Sequence, residues 1–158
     1  MDIRDRSVEA IVLKSTAYKE QDRLLTFITP EYGVEKAIAR GAAKSTGSLR
    51  PIAQPYARVS LLLTPRRGLS FVSQGEPLET YIRLDSGLKR FTYGAYVAEL
   101  AILASPEQKP ALDLYYLLQA VFSLLSMDED LARTLRFYEL RLLDILGVLP
   151  ELTGCSLC

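Results

Sequence analysis

The sequence contains no histidine and no tryptophan, and both of its cysteines fall among the last four residues. Histidine is the side chain that most often acts as a general base at neutral pH, so its absence removes the commonest catalytic group. The two glycine-rich phosphate loops, GxxxxGK[ST] and GxGxxG, are missing as well. These absences argue against catalysis, and we expect that the protein is not an enzyme.

Long apolar runs are also missing. No stretch reaches the roughly 18 residues that a membrane span requires, and the N-terminal segment MDIRDRSVEA lacks the apolar centre of a secretory signal. Two cysteines provide no disulfide framework, which is typical of a reducing compartment. We therefore expect a cytoplasmic protein without a membrane segment.

Charge is balanced overall but unevenly distributed. The chain has 19 basic and 19 acidic residues, yet the acid-free segment, residues 36–74, contains no Asp or Glu. Residues 1–83 carry 13 Lys or Arg against 9 Asp or Glu, a net +4, and residues 84–158 carry 6 against 10, a net −4. Such asymmetry is typical of a basic half that meets a polyanion, although two solvated faces that differ by chance would give the same counts.

The first half of the chain has the pattern of short strands. Gly and Pro mark the turns between five runs rich in β-branched and aliphatic residues, which cover residues 8–16, 23–30, 34–41, 57–65 and 69–77. Five short strands within about eighty residues predict a small closed barrel. Barrels of this kind often bind single-stranded nucleic acid on one face.

The second half changes to helical spacing. Apolar residues recur with the period of a helix in three segments, which cover residues 91–105, 111–126 and 131–146. Asp128 is the predicted N-cap of the third helix. The change of period falls near residues 78–88. The predicted fold class is therefore α+β, with a five-stranded barrel in residues 1–80 and a helical domain in residues 81–158.

Two aromatic residues interrupt the acid-free segment. Tyr56 and Phe71 are candidates for stacking against bases, as aromatic residues do in other barrels. Aromatic residues in strands are more often part of a core, and the core interpretation has the greater weight for Phe71.

The sequence ends in TGCSLC, where Cys155 and Cys158 form a C-x2-C pair. Two thiolates at this spacing supply half of a tetrahedral zinc site, and a complete site needs a second pair. A redox pair is the less favoured alternative, because it would normally open a helix in a βαβ unit. We expect either that the chain is a fragment or that the site is completed from outside it, and that this chain itself holds no stoichiometric zinc.

Three segments have the residue pattern of a known family: EAIVLKSTAYKEQDRLLTFITPEYGVEKAIARGAAKS (9–45), YGAYVAELA (93–101) and the C-terminal segment 137–158. They resemble the RecO family of bacterial DNA repair proteins. The first is similar to the family's N-terminal signature, and the second is similar to its Y-A-x-Y-x-x-E-L element. FYELRLLDILGVLPELTGCSLC (137–158) is similar to the family's segment that leads into its first cysteine pair. The three segments follow one another in the family's order and together extend over nearly the whole chain.

The resemblance implies an N-terminal OB-fold barrel and a helical domain with a four-cysteine zinc finger. It implies a mediator of DNA repair and homologous recombination at the bacterial nucleoid, which binds single- and double-stranded DNA and anneals complementary strands. Such a mediator helps load recombinase onto DNA coated by single-stranded DNA-binding protein. The implied partners are RecR and the C-terminal tail of single-stranded DNA-binding protein, and zinc is implied for the full-length family.

The resemblance and the charge pattern together select candidate DNA-binding residues. Arg40 matches the basic residue of the family's A-R-G-A element, and Lys44 matches the basic residue that follows it. Ala42 and Ala43 stand where relatives often carry another basic residue, and small side chains there would let a phosphate backbone approach. The full candidate set is Lys36, Arg40, Lys44, Arg50, Arg66 and Arg67.

Two other functions fit the sequence. A protein–protein adaptor with little DNA affinity is consistent with zero net charge, and an RNA-binding barrel fits least because few aromatic residues lie between the basic ones. In the acidic half, Arg133, Arg136 and Arg141 are candidates for contact with an acidic tail peptide. Pairing along the helix with Glu139 or Asp144 is the favoured interpretation for any one of them.

Overall fold

Five strands form a closed barrel in the computed structural model, which describes residues 4–105 and 109–155. The strands are β1 Arg6–Tyr18, β2 Asp22–Thr29, β3 Gly33–Ala39, β4 Ala57–Thr64 and β5 Ser70–Thr80. They close in the order β1-β2-β3-β5-β4, with β3 and β5 parallel and all other neighbours antiparallel. This is the arrangement of an OB-fold. The five predicted strands and the closed barrel are confirmed.

Side chains alternate between the inside and the outside of the barrel. On β3, Ala37 and Ala39 are fully buried inside, whereas Lys36 and Arg40 are exposed. Because successive side chains of a strand point to opposite faces, a buried alanine at every second position forces the basic residues outward. Larger apolar side chains from the other strands fill the interior, among them Val12, Leu25, Phe27, Val59, Leu61, Leu63 and Val72.

In the part of the chain that the structure describes, three helices follow the barrel, as predicted. They are α1 Leu88–Ala104, α2 Leu112–Met127 and α3 Leu131–Ile145. None of the helices within residues 4–105 and 109–155 combines the length and the apolarity that crossing a lipid bilayer requires.

The predicted N-cap of α3 was wrong by two residues. Asp130 caps the helix, because its carboxylate accepts a hydrogen bond from the backbone N–H of Arg133 at 3.0 Å. The carboxylate of Asp128 accepts instead from the backbone N–H of Asp130 and from the hydroxyl of Thr134, each at 3.0 Å. These hydrogen bonds, with that from the Arg133 side chain, lower the pKa of Asp128.

The helices pack against the outer face of β1 and β2. Ile11, Leu13 and Ile28 belong to the core formed with the helices and not to the barrel interior. A β-bulge between Val12 and Lys14 leaves Leu13 opposite no residue of β2, and Leu13 is 2% exposed. One hydrophobic core thus joins the outer face of the barrel to the helices, beside a second core inside the barrel. The division into residues 1–80 and 81–158 stays a prediction.

Tyr56 is the central aromatic residue of this shared core. Its φ of +61° is a left-handed value that is rare for a bulky side chain. The ring lies edge-on to Phe91 with 5.0 Å between centroids and 5.3 Å from the ring of Phe122. With 3% of its surface exposed, Tyr56 cannot stack against a base, so that sequence-based candidate was wrong.

A polar network joins the barrel to α2 at the edge of the shared core. The hydroxyl of Tyr115 donates to Oε1 of Glu9 at 2.9 Å, and Arg58 donates to the same oxygen at 3.0 Å. Arg58 also lies 3.6 Å from the carboxylate of Glu79. Arg58 belongs to the acid-free segment by sequence, but the fold supplies it with two carboxylates from other strands.

We predict that the fold loses stability at alkaline pH. Burial raises the pKa of Tyr56 and of Tyr81 to about 12, and it also raises the pKa of Tyr115 and Tyr138. A tyrosine with a raised native pKa contributes fully below its unfolded pKa of about 10, and its contribution is lost as pH rises through the native pKa. Each tyrosine contributes at most about 1.4 kcal/mol per pH unit.

Thermal unfolding followed by circular dichroism measures this effect. We expect a nearly constant Tm up to about pH 9.5 and a falling Tm between about pH 10 and 12. Tyr138→Phe should make the fall shallower, whereas Tyr116→Phe, at an exposed position, should leave the profile unchanged. A Tm that stays level across the whole alkaline range would contradict the burial assigned to these hydroxyls.

Candidate nucleic-acid interface

Three apolar residues form a row across β2, β3 and β5, between the candidate residues Lys36 and Arg40. Ile38, which is only 5% exposed, lies on β3 between the exposed Lys36 and Arg40, the residue that directly follows the strand. It is in register with Leu24 on β2 and with Phe71 on β5. The three apolar side chains are therefore cross-strand neighbours, and the two basic side chains lie on either side of the row.

Arg40 is held against the barrel surface by Phe71. The guanidinium carbon of Arg40 lies 4.1 Å from the centroid of the Phe71 ring. Such a cation–π contact orients the planar group and leaves its N–H donors available to a ligand. Phe71 is half-buried beneath the arginine and belongs to neither hydrophobic core. The sequence-based preference for Phe71 as a core residue was therefore wrong.

The loop after β3 is a succession of tight turns that carries two more candidates. Four of its backbone N–H groups each donate to the carbonyl three residues earlier, at 3.0 to 3.2 Å; these are the N–H groups of Lys44, Gly47, Arg50 and Ala53. The side chains of Lys44 and Arg50 are exposed. The loop therefore presents both cations from a backbone that is fixed by its own hydrogen bonds.

The same loop is fastened to the turn between β1 and β2. The backbone N–H of Gly41 donates to the carboxylate of Asp22 at 2.9 Å, and that of Ala43 donates to the carbonyl of Gln21 at 3.0 Å. Ala43 is exposed, as expected for a residue that leaves room for a phosphate, but Ala42 is 3% exposed and packs in the barrel core. The small side chain of Ala42 therefore fits the packing of the barrel core and does not give a phosphate access to the loop.

Arg66 and Arg67 are exposed in the turn between β4 and β5. Gly68 follows with a φ of +93°, a value that glycine adopts without strain. Because β5 runs parallel to β3 and their pairing begins at Ala37 and Ser70, this turn lies beside the Lys36 end of β3. The six candidates thus lie on β3, on the loop that follows it and on a neighbouring turn.

The six candidates share an electrostatic property. Within the part of the chain that the structure describes, none of them has a carboxylate oxygen within 4.0 Å. In an OB-fold, the face of strands 2 and 3 and the turns β1–β2 and β4–β5 are the usual binding surface for oligonucleotides. Lys36 and Arg40 lie on or beside that face and Arg66 and Arg67 lie in the β4–β5 turn, whereas Lys44 and Arg50 lie in the loop fastened to the β1–β2 turn. That these six residues bind DNA stays a prediction.

The arginines of α3 behave differently. Arg136 pairs with Glu139 at 2.7 Å and Arg141 pairs with Asp144 at 3.0 Å, each along the helix. Arg133 lies 3.1 Å from the carboxylate of Asp128. The favoured interpretation of pairing along the helix is confirmed for Arg136 and Arg141.

The cysteine pair is described only in part. Cys155 is exposed, and Cys158 lies outside the described residues. Among residues 4–105 and 109–155, no three His, Cys, Asp or Glu side chains are grouped so as to hold a metal ion. The described residues therefore do not complete a four-ligand zinc site. The expected lack of stoichiometric zinc stays a prediction, to be checked by elemental analysis after dialysis against a chelator.

Sequence reasoning missed Arg23 as a candidate binding residue. Arg23 directly follows Asp22, so a charge count treats the two as offsetting each other. On β2, Arg23 is two residues from the inward-facing Leu25 and pairs with Ala17 of β1, which places it on the inner side at the end of the barrel. The alternation of faces along β2 was the signal in the sequence that could have placed Arg23 on the same side as Leu25.

A closed OB-fold barrel with an unpaired basic surface, followed by a three-helix domain, is the class that fold and site define. The family model "Recombination protein O N terminal" matches residues 1–81, and "Recombination protein O C terminal" matches residues 86–158. The chain therefore belongs to the RecO family of DNA repair proteins, and the resemblance stated from its motifs is confirmed.

Relatives from three bacteria, each named DNA repair protein RecO, support the assignment. The chain is 42% identical to the protein of Heliobacterium modesticaldum over 151 residues, 39% to that of Pelotomaculum thermopropionicum over 150 and 35% to that of Desulforudis audaxviator over 156. The matches cover 95%, 95% and 99% of this chain but 54%, 58% and 62% of the relatives. The shared name indicates DNA repair and does not indicate a catalytic activity.

We predict that Gly47→Ala disrupts the loop. A Cβ at this position would lie 2.1 Å from the carbonyl oxygen of Gly41, so the backbone of successive turns would have to move. We expect the free energy of unfolding to fall by roughly 1–3 kcal/mol, as measured by urea denaturation. Gly154→Ala is the control, because its added Cβ meets no atom within 4 Å. Equal urea midpoints for the two variants would contradict the loop geometry.

Proposed function

We propose that the chain is a non-enzymatic DNA-binding part of a recombination mediator that acts at the bacterial nucleoid in the cytoplasm. It binds single- and double-stranded DNA on the outer surface of β3, the loop after it and the β4–β5 turn. The observation that carries this proposal is the set of six exposed basic side chains, none of which has a carboxylate within 4.0 Å among the described residues.

Contacts of this kind neutralise phosphates and release their counterions, which supplies affinity without reading sequence. Arg40, held flat over Phe71, presents its donors in a fork that suits a phosphate. Lys44 and Arg50 extend from the loop at one end of β3, and Lys36 with the β4–β5 turn lies toward the other. A DNA strand that runs along β3 contacts several of these basic residues in succession.

Annealing of complementary strands follows from the same chemistry. A protein that grips the sugar–phosphate backbone leaves the base edges free to pair with a second strand. Leu24 and Phe71, the half-buried members of the apolar row, supply sequence-tolerant contact with bases or sugars. We propose that this combination also serves the loading of recombinase onto DNA coated by single-stranded DNA-binding protein.

Arg40→Ala combined with Lys44→Ala tests the proposed surface. We expect weaker binding to single-stranded oligonucleotides of every sequence, because both contacts are assigned to phosphates. The slope of log K against log salt should decrease in magnitude by about 1.4, since each phosphate contact on a single strand accounts for about 0.7. Fluorescence anisotropy over a salt series measures both quantities, and both side chains are exposed, so the fold should be retained.

The matched control is Arg136→Ala combined with Arg141→Ala, which removes the same charge from α3. This control should leave the salt slope unchanged. The assignment fails if the β3 variant keeps the affinity and slope of the parent chain, or if the α3 variant loses as much as the β3 variant.

The helical half supports a second candidate function, that of a protein adaptor. A groove of about 600 Å³ between α2 and α3 is lined by the apolar side chains of Tyr116, Phe137 and Ile145, among others, and by the charged side chains of Arg141, Asp113 and Asp144. Tyr116 is 58% exposed and Phe137 is 43% exposed, and exposed apolar side chains that cluster in this way mark interaction surfaces. We propose RecR and the acidic, apolar-ended tail of single-stranded DNA-binding protein as partners of this half.

Tail binding predicts a role for a basic residue beside the groove. Arg141 lines it, whereas Arg133 and Arg136 lie elsewhere on the same helix. We expect replacement of all three arginines by alanine to weaken binding of a tail peptide several-fold in calorimetry, mainly through Arg141. Arg83→Ala is the control, because Arg83 is an exposed, ion-paired arginine outside this helix. Equal peptide affinity after the triple replacement would exclude this site.

A further inference from the structure

A cavity of about 330 Å³ lies at the end of the barrel where β2 begins. Its walls come from β1, β2, the loop after β3 and the start of α1. The residues that matter for its chemistry are Ser15, Arg23, Arg50, Gln54, Leu84 and Phe91. No Asp or Glu is among the described residues that line it.

Two arginines supply the charge of this cavity. Arg23 is half-buried and is on the inner side of β2, and Arg50 reaches the cavity from the loop. Within residues 4–105 and 109–155, neither side chain has a carboxylate within 4.0 Å. A half-buried guanidinium is partly removed from water, so an acceptor beside it would be bound more strongly than at an open surface.

Ser15 adds a third donor. Its side chain is on the inner side of β1, opposite Leu25, and its hydroxyl oxygen is buried without a hydrogen-bond partner among the described residues. Buried hydroxyls in folded proteins are nearly always hydrogen-bonded. A hydroxyl and two guanidinium groups that line one acid-free space form a donor set for an anion with several acceptor oxygens.

We propose that this cavity binds a phosphate monoester. A terminal phosphate carries a charge of about −1.5 to −2 at neutral pH and offers three strong acceptor oxygens, which matches two arginines and a hydroxyl. Arginine binds such groups through paired hydrogen bonds. Phe91 and Leu84 give the cavity an apolar wall on the side of the helices, against which an attached nucleoside packs.

The source of the monoester is the phosphorylated end of a DNA strand, an assignment that rests on the proposed function. A continuous backbone carries one charge per phosphate and passes along an open surface. The end of a DNA strand carries the extra charge and can enter a space that is bounded by β1, β2, the loop after β3 and α1. The cavity would thus hold a terminus while the outer surface of β3 holds the strand.

A nucleotide titration tests the cavity without reference to DNA binding. Deoxyadenosine 5′-monophosphate should raise the Tm of the chain in a concentration-dependent way, whereas deoxyadenosine should not. Arg23→Gln should weaken the apparent affinity about tenfold, Arg23→Lys should retain part of it, and Arg136→Gln should leave it unchanged. Arg50→Gln, at an exposed position, keeps the test valid if the Arg23 variants fold poorly. No stabilisation by the nucleotide, or equal stabilisation of the arginine variants, overturns the proposal.

A second experiment identifies the source. Oligonucleotides of one sequence with a 5′-phosphate, a 3′-phosphate or no terminal phosphate are compared by anisotropy. Tighter binding of a phosphorylated end that disappears in Arg23→Gln assigns the cavity to strand ends. If the nucleotide binds but no end is preferred, the ligand is a free monophosphate and the strand-end assignment is overturned. Loss of DNA binding altogether would contradict the proposed function while the nucleotide titration still decides the cavity.

Discussion

The packing of Ile11, Leu13 and Ile28 against the helices determines which side of the barrel remains open. These residues are on the outer side of β1 and β2 and form one core with Tyr56, Val97 and Phe122. Leu13 faces that core because it lies two residues after Ile11 along β1. Because a closed barrel has no sheet edge, a second domain cannot extend the sheet and packs on its outer surface. With the helices on β1 and β2, the outer surface of β3 and β5 is left for binding.

Charge on that open surface is determined by pairing in space and not by totals. The chain is neutral overall, and the three arginines of α3 are paired with carboxylates on that helix or in the turn before it. Arg58 shows that membership of the acid-free segment is insufficient, because Glu9 and Glu79 reach it from β1 and β5. The basic side chains of the loop after β3 have no such carboxylate partner among the described residues. Backbone hydrogen bonds within the loop and to the β1–β2 turn fix the loop in its position. A neutral protein can therefore present a basic surface.

Local patterns predicted the elements well, and tertiary contacts account for what they missed. Apolar runs bounded by Gly and Pro predicted the five strands, and the acid-free segment indicated where the unpaired basic residues lie. For Tyr56 the sequence left stacking and core packing open, because the left-handed backbone that accompanies its burial is not visible in a residue pattern. Phe71 was misassigned because an aromatic residue in a strand is usually part of a core. Here its ring is covered by Arg40, which follows a different strand, β3. To identify Arg23 as a candidate, one must know which face of β2 it is on and where the loop after β3 passes. Composition alone contains neither piece of information.

Amide chemical-shift mapping tests the central claim most directly. A uniformly 15N-labelled chain would be titrated with a short single-stranded oligonucleotide, and the perturbed backbone amides assigned. The account predicts that the largest changes cluster in residues 36–50 and 64–72, with few changes in α2 and α3. Perturbations concentrated on the groove between α2 and α3, with β3 and its loop unaffected, would contradict it.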